Sequence, residues 1–150
     1  MKTMITKLLA MLMILTTLAS LSMGAFAEEA NMTAVDITIG DKVFQAQFFD
    51  NETAQAFLDQ MPMTLEMSDL HRNEKFHDLP ENLPVASTEQ PDRMQAGEIM
   101  LWSGNTIVLF YESFSNSFGG YVKLGRIEDV TGLAEAVGTG SVSVTYSISE

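Results

Sequence analysis

The chain has 150 residues, no cysteine, and 20 acidic side chains against 8 basic ones, for a net charge of −12 at pH 7. Without cysteine it can form neither a disulfide, a thiolate metal site nor a cysteine nucleophile, so core packing has to supply its stability. The strong negative charge repels phosphate backbones and anionic lipids, which argues against nucleic-acid binding and against adhesion to a membrane surface.

The first 27 residues have the features of a secretory signal peptide. Lys2 and Lys7 give a positive start, residues 8–21 are apolar and uncharged, and Ala25-Phe26-Ala27 resembles a cleavage site. The apolar run is shorter than the roughly 20 residues of a bilayer-spanning helix. We therefore expect cleavage after Ala27, a bacterial protein that is secreted or periplasmic, and no stable membrane insertion afterwards.

The rest of the chain is predicted to be a flexible leader at residues 28–34 and one domain over residues 35–150. Apolar and polar residues alternate at residues 35–39, and a second apolar run follows a Gly-Asp turn at residues 43–49. Alternation with period two is typical of a half-buried strand, so these two segments predict a hairpin.

A short helix and a third strand are predicted next. Asn51 can cap the helix by accepting a free backbone N–H, and Pro62 ends it. Residues 63–67 alternate again and predict a strand. Residues 69–95 contain three prolines and many charges, which predicts a long loop with at most one helical turn.

The carboxyl-terminal half is predicted to be mostly strands. Residues 112–120 form a loop rich in Ser, Phe and Gly. A second short helix is expected to begin at a cap provided by Asp129 or Thr131 and to stop at Gly138. The predicted strands are residues 97–102, 106–111, 121–127 and 142–148.

This order of elements indicates a mainly β fold. Many short strands leave sheet edges that invite aggregation, and closure into a barrel removes them. We therefore predict a small closed β-barrel with two short α-helices.

Several segments, taken in order, resemble the bacterial cyclophilin-like domain family, whose members are small barrels mostly of unassigned function. The resemblance implies a closed, cyclophilin-like β-barrel with two helices. The matching segments are residues 53–57, 61–67, 73–76, 79–80, 96–102, 109–111, 124–127 and 132–136.

The family name raises the question of peptidyl-prolyl isomerisation. Leu70-His71-Arg72 resembles the Phe-His-Arg stretch of true cyclophilins, in which the arginine is aimed at the prolyl nitrogen as amide resonance is lost. The next residues, Asn73 and Glu74, depart from that pattern. Arg72 is therefore the candidate catalytic residue of an alternative hypothesis, and no catalytic residue is assigned.

The chain contains two histidines, His71 and His77, with carboxylates between and beside them. These groups can bind zinc, but their spacing matches no regular ligand pair, so we favour a solvated charged loop and predict no metal site. For Glu74 and Lys75 we expect surface or latch contacts. No Walker loop or nucleophile elbow occurs, and we expect no cofactor.

An aromatic-rich stretch surrounds the predicted loop at residues 112–120. Loop aromatics beside glycine either cap the barrel mouth or contact a ligand, and both interpretations stay open. The predicted binding groove consists of His71, Arg72, His77, Tyr111, Phe114, Phe118 and Tyr121.

Arg126 lies on a predicted strand between Gly125 and Ile127. A buried ion pair, for example with Glu128, is the structural interpretation, and an anion-holding arginine is the functional one. We favour the buried ion pair.

Three hypotheses about function follow. The first is an exported binding barrel for a peptide or a small molecule. The second is an exported peptidyl-prolyl isomerase that uses Arg72. The third is an interaction module that acts through its acidic face. The oligomeric state is not predicted.

Overall fold

A computed structural model describes residues 31–150, which form ten β-strands and two α-helices. The predicted signal peptide at residues 1–27 and the first part of the predicted leader lie outside the described residues. The first strand already begins at Thr33, so Thr33 and Ala34 pair in the sheet and do not belong to the leader.

Eight of the strands close into an antiparallel barrel. Their order around the barrel is β1 (Thr33–Ile39), β10 (Val142–Ile148), β3 (Met63–Leu70), β4 (Glu74–Asp78), β7 (Thr106–Phe110), β6 (Glu98–Trp102), β9 (Tyr121–Ile127) and β2 (Lys42–Phe48). The predicted fold class, a closed β-barrel with two short helices, is confirmed over residues 31–150. In this part of the chain, none of the helices has the length and apolar character that crossing a membrane requires.

The first helix, α1 (Glu52–Leu58), begins as predicted. Asn51 Oδ1 accepts a hydrogen bond of 2.8 Å from the backbone N–H of Ala54, which satisfies one free donor of the first turn. Phe57 on the apolar face is buried, and its ring centroid lies 5.4 Å from that of Tyr146 in an edge-on arrangement. The helix therefore packs against the core, as its apolar stripe indicates.

The second helix, α2 (Leu133–Val137), ends at Gly138 with a positive φ, as predicted, but its start differs. Its N-cap is Gly132, which has no side chain to offer. Asp129 Oδ1 instead accepts a hydrogen bond from the Thr131 N–H, 3.0 Å away, in the turn before the helix. The prediction that Asp129 or Thr131 caps this helix is therefore wrong.

Strands β6 and β7 are buried on both faces of the sheet. Side chains of a strand point alternately to its two faces, so Ile107 and Leu109 belong to the barrel interior while Val108 and Phe110 lie on the outer face. A two-stranded sheet of β5 (Arg93–Met94) and β8 (Phe114–Ser115) contributes side chains to the outer apolar layer. We call this layer the outer cluster; it consists of Met94, Met100, Val108, Phe110 and Tyr121, with Phe76 and Phe114 packed against it.

The segment predicted as one long loop, residues 69–95, contains part of the barrel wall. Strand β3 continues to Leu70, and β4 pairs with both β3 and β7. The turn between β3 and β4 places His71 and Arg72 at positive φ, with Asn73 N donating to Leu70 O over 3.2 Å. The loop prediction is wrong here because β4 turns a lysine inward, so that the sequence lacks the apolar alternation of a strand.

That lysine, Lys75, is fully buried inside the barrel, with an exposed fraction of 0%. Its Nζ lies 2.8 Å from Asp69 Oδ1 and donates to the carbonyl oxygens of Gly138 and Gly140 over 2.9 and 2.6 Å. Lys75 thus makes no surface contact and ties β3 to the turn that leads into β10. The prediction named a surface contact or a latch contact for this residue. Lys75 makes the latch contact, because it links two segments of the barrel.

Arg126 is exposed on β9 and forms no ion pair with Glu128. Glu128 Oε1 instead accepts a hydrogen bond from Gln47 Nε2 over 3.0 Å. The predicted buried ion pair at Arg126 is wrong, because the side chain points away from the barrel interior on this strand.

Candidate ligand-binding site

A cavity of about 410 Å³ adjoins the outer cluster, on the side of the barrel formed by β4, β6, β7 and β9. Strands and loops from both halves of the chain contribute to it, and none of its lining residues is arginine or lysine. The lining residues are Leu70, His71, Asn73, Glu74, Phe76, Asp78, Trp102, Thr106, Val108, Phe114, Asn116, Phe118 and Tyr121.

Five aromatic side chains dominate the lining: Phe76, Trp102, Phe114, Phe118 and Tyr121. Tyr121 is almost completely buried, whereas Trp102 is 41% exposed and Phe118 is 68% exposed. The centroids of Trp102 and Tyr121 lie 6.5 Å apart. Tyr121 therefore belongs to a buried wall of the cavity, whereas Trp102 and Phe118 form an accessible rim.

The rim aromatics are held by hydrogen bonds from the neighbouring loop. Trp102 Nε1 donates to Gly119 O over 3.0 Å. Asn116 Nδ2 donates to the carbonyl oxygens of Pro91 and Phe118 over 2.8 and 2.7 Å. These bonds hold the loop that carries Phe118 beside the cavity.

Glu74 is the most perturbed acid of the cavity. Burial, and then the negative charge of Asp69, raise the pKa of Glu74 to about 7 from its usual 4.5. Burial, and then the charge of Glu74, raise the pKa of Tyr121 as well. A carboxyl with a pKa near neutrality in an apolar cavity is typical of a functional site.

Two further polar groups line the cavity. The Oδ1 atom of Asn73 is buried and has no hydrogen-bond partner among the described residues. Asp78 Oδ1 accepts from Thr106 Oγ1 over 2.6 Å, and among residues 31–150 this carboxylate forms no ion pair with a lysine or arginine. Buried acceptors without donors are rare in native proteins, and a ligand that brings a donor would satisfy Asn73.

The structure brings four of the seven predicted groove residues together. His71, Phe114, Phe118 and Tyr121 all line the cavity.

The other three predicted residues do not line it. Arg72 is exposed in the turn between β3 and β4. His77 Nδ1 lies 2.8 Å from the backbone oxygen of Glu66, which is on the neighbouring strand β3. Tyr111 belongs to the interior core, where its hydroxyl donates to Asp69 Oδ1 over 2.6 Å.

Glu74, Phe76 and Trp102 are lining residues that the sequence did not reveal as a group. Glu74 and Phe76 were assigned to a loop, and the alternation that turns them to one face is visible only once β4 is recognised as a strand. Trp102 ends an apolar strand and reads as core from sequence alone. The available signal was the segment Glu74-Lys75-Phe76, which would turn Glu74 and Phe76 to one face if it were a strand.

Within the described chain, no group of three or more His, Asp or Glu side chains is arranged to hold a metal ion. The two histidines contribute to different environments, since His71 lines the cavity and His77 does not.

Fold and cavity together define a small closed antiparallel barrel with an aromatic cavity on its outer face. The chain belongs to the cyclophilin-like family, whose model matches residues 37–148.

One solved structure of similar fold is the solution structure of the hypothetical protein AF2241 from Archaeoglobus fulgidus. The two chains are 17% identical, with a TM-score of 0.59, and the similarity covers 79% of this chain and 95% of that one. A search of curated proteins finds no match. The similarity to AF2241 therefore supports the fold alone.

Proposed function

We propose that this domain is an exported binding barrel that holds its ligand in the outer aromatic cavity. The ligand is either a small molecule or one apolar side chain of an extended peptide. The observation that carries the proposal is the cavity itself, with five aromatic side chains around a few polar groups.

The size and lining of the cavity support this function. Sites for small ligands typically enclose about 300–1,000 Å³ and combine apolar walls with a few placed polar groups. The cavity of about 410 Å³ lies in this range, and Asn73, Glu74 and Asp78 are its polar groups.

Binding without catalysis is the version of the proposal that the geometry favours. An isomerase needs a donor aimed at the prolyl nitrogen of a bound peptide. Arg72, the candidate for that role, lies outside the lining residues, and no other arginine takes its place among them.

Export is proposed on the amino-terminal sequence, which combines two lysines, an apolar run and an Ala-Phe-Ala cleavage motif. Detection of the mature protein in a periplasmic or culture fraction, beginning at Glu28, tests it. Retention of the full-length chain in the cytoplasm would contradict it.

Thermal-shift screening with small molecules and with short apolar peptides tests the binding function. A ligand that binds the native state alone must raise the melting temperature. Trp102 is the single tryptophan of the chain and lines the cavity, so the same ligand is expected to change its fluorescence.

Phe118→Ala removes an aromatic side chain from the rim and is expected to weaken binding several-fold. Val43→Ala is the matched control, because Val43 is also an exposed apolar residue but does not line the cavity. Equal effects of the two variants would contradict the assignment of the cavity. Failure of every small molecule and peptide to bind would favour interaction through the acidic face.

A further inference from the structure

We infer that the ligand is an organic cation: a protonated amine attached to a compact apolar or aromatic body. This inference rests on the proposed binding function and names the chemistry of the ligand. It follows from three properties of the cavity, namely its aromatic faces, its unpaired carboxylates and its unsatisfied acceptor.

The first property is the set of aromatic faces. The negative face of an aromatic ring attracts a cation that lies within about 6 Å of its centroid, most strongly for Trp and Tyr. Trp102 and Tyr121 line the cavity together, and Phe114 and Phe118 extend the aromatic wall along the adjacent loop. An apolar ligand body would gain from the same surfaces by burial.

The second property is the sign of the charge. Glu74 and Asp78 line the cavity, and neither forms an ion pair with a lysine or arginine among residues 31–150. In contrast, Asp69, on the interior side of the sheet, is neutralised by Lys75 at 2.8 Å. A negatively charged ligand would face two carboxyl groups that have no basic partner, whereas a cation would be attracted to both.

The third property is the buried Oδ1 of Asn73, which accepts no hydrogen bond from the described chain. It is a neutral acceptor next to Glu74 in sequence, and both residues line the cavity. An ammonium group brings several N–H donors, so it can satisfy Asn73 and a carboxylate at once. A carboxylate or phosphate ligand brings acceptors only and would leave Asn73 unpaired.

Three probes of nearly equal size separate these possibilities: benzylammonium, benzyl alcohol and benzoate. Each is titrated against the mature protein, with Trp102 emission and calorimetry as readouts. We expect benzylammonium to bind at least about fivefold more tightly than benzyl alcohol, the difference that an ion pair of about 1 kcal/mol with Glu74 produces. Benzoate is expected to bind most weakly.

Glu74→Gln keeps the shape of the side chain and removes its charge. It is expected to bring the affinity for benzylammonium close to the affinity of the same variant for benzyl alcohol. Glu135→Gln is the matched control, since Glu135 is an exposed helix residue that does not line the cavity. Retained cation selectivity in Glu74→Gln would overturn the role of Glu74 and with it the inference.

The affinity for benzylammonium should also rise between pH 5 and pH 8, the range in which Glu74 loses its proton. Asp69 on β3 stays negative over this range because its pKa is lowered, and Tyr121 on β9 stays neutral because its pKa is raised. His71 and Asp78 also line the cavity, and both are present in the parent protein and in Glu74→Gln, so the comparison isolates the contribution of Glu74. In Glu74→Gln the rise in affinity is expected to be smaller than in the parent.

The outcomes distinguish this inference from the proposed function. If benzyl alcohol or benzoate binds as tightly as benzylammonium, the cavity is a binding site but the ligand is not a cation. If none of the three probes binds and the wider screen is also negative, the binding function itself fails.

Discussion

The ammonium group of Lys75 lies 2.8 Å from Oδ1 of Asp69, although the lysine side chain is completely buried inside the barrel. The same Asp69 oxygen accepts from the Tyr111 hydroxyl over 2.6 Å, and Lys75 Nζ lies 5.2 Å from the centroid of the Tyr111 ring. Burial opposes the charge of Asp69, but hydrogen bonds from Lys75, Tyr111 and the Arg72 N–H keep its pKa below the usual value.

Lys75→Met is expected to lower the free energy of unfolding by about 3 kcal/mol, because it leaves a partly buried carboxylate without its cation. Lys123→Met is the control: its ion pair with Glu89 spans 3.4 Å at the surface, so its loss should cost less than about 1 kcal/mol. Urea denaturation measures both. Equal losses would contradict the structural role of the interior pair.

The double variant Lys75→Met with Asp69→Leu removes both charges. Its loss in the free energy of unfolding should be smaller than the sum of the losses in the two single variants. The double variant leaves no unpaired charge, although Tyr111 loses its acceptor. A double-mutant cycle gives the coupling free energy directly. Strict additivity would mean that the two groups do not stabilise one another.

The raised pKa of Glu74 predicts how stability changes with pH. Between pH 4.5 and about 7 the native state holds a proton that the unfolded state has released, so stability falls as the pH rises through this window. Glu74→Gln should not show this fall. The stability of the variant relative to that of the parent protein should therefore be higher at pH 8 than at pH 4.5. Denaturation midpoints at the two values, with Glu135→Gln as control, provide the test.

Asp69 predicts the opposite behaviour at acid pH. Its folded pKa is depressed, so its stabilising effect is complete above the usual value of 3.8 and is lost as the pH falls through the lower, folded value. As the pH falls below 3.8, the free energy of unfolding should therefore decrease more in the parent protein than in Asp69→Asn. Equal decreases in the two proteins would exclude Asp69 as an acid-sensitive group.

Gly125→Ala tests the closure of the barrel between β2 and β9. A Cβ at this position would lie 2.7 Å from both Gln47 O and Phe48 Cδ2, so the strands would have to separate. We expect a loss of about 3 kcal/mol from overpacking. Gly140→Ala meets nothing within 4 Å and should stay within about 1 kcal/mol of the parent. A mild effect at Gly125 would mean that this pairing is loose.

Arg72→Gly is expected to stabilise the protein by about 0.5 kcal/mol, because Arg72 has a φ of 57° that glycine adopts without steric cost. Arg126→Gly on β9 is the control and should be destabilising, since glycine weakens a strand. Ligand binding should be unchanged in Arg72→Gly. A loss of binding would instead support the isomerase hypothesis.

Most of the barrel could be predicted because most of its strands present apolar residues at every second position. Strands β1 and β10 alternate clearly, and β6 and β7 are continuous apolar runs. Strand β4 could not be predicted, because its inward side chain is Lys75. Lys75 looks like a solvated charge until the fold brings to it Asp69, across the turn from β3, and the carbonyl of Gly138, which is distant in sequence.

The cavity was predictable only in part for a related reason. The loop aromatics Phe114 and Phe118 stood out by composition, whereas Glu74 and Phe76 depend on the register of β4. His77 lies on β4 between the lining residues Phe76 and Asp78 but points to the other face, because neighbouring strand residues alternate. If the predicted register of a strand is wrong by one residue, a side chain that is assigned to the cavity lies instead in the core or on the surface.

The pairing of β1 with β10 has a consequence for how the chain reaches its native state. Val35 lies opposite Ile148, and Ile39 lies opposite Val144, so the first strand of the described residues needs the last one as its neighbour. Contacts between such distant segments form slowly, because a long stretch of chain has to be ordered first. A chain in which β10 has not yet been synthesised thus cannot finish its barrel, and β1 keeps an unpaired edge until β10 is present.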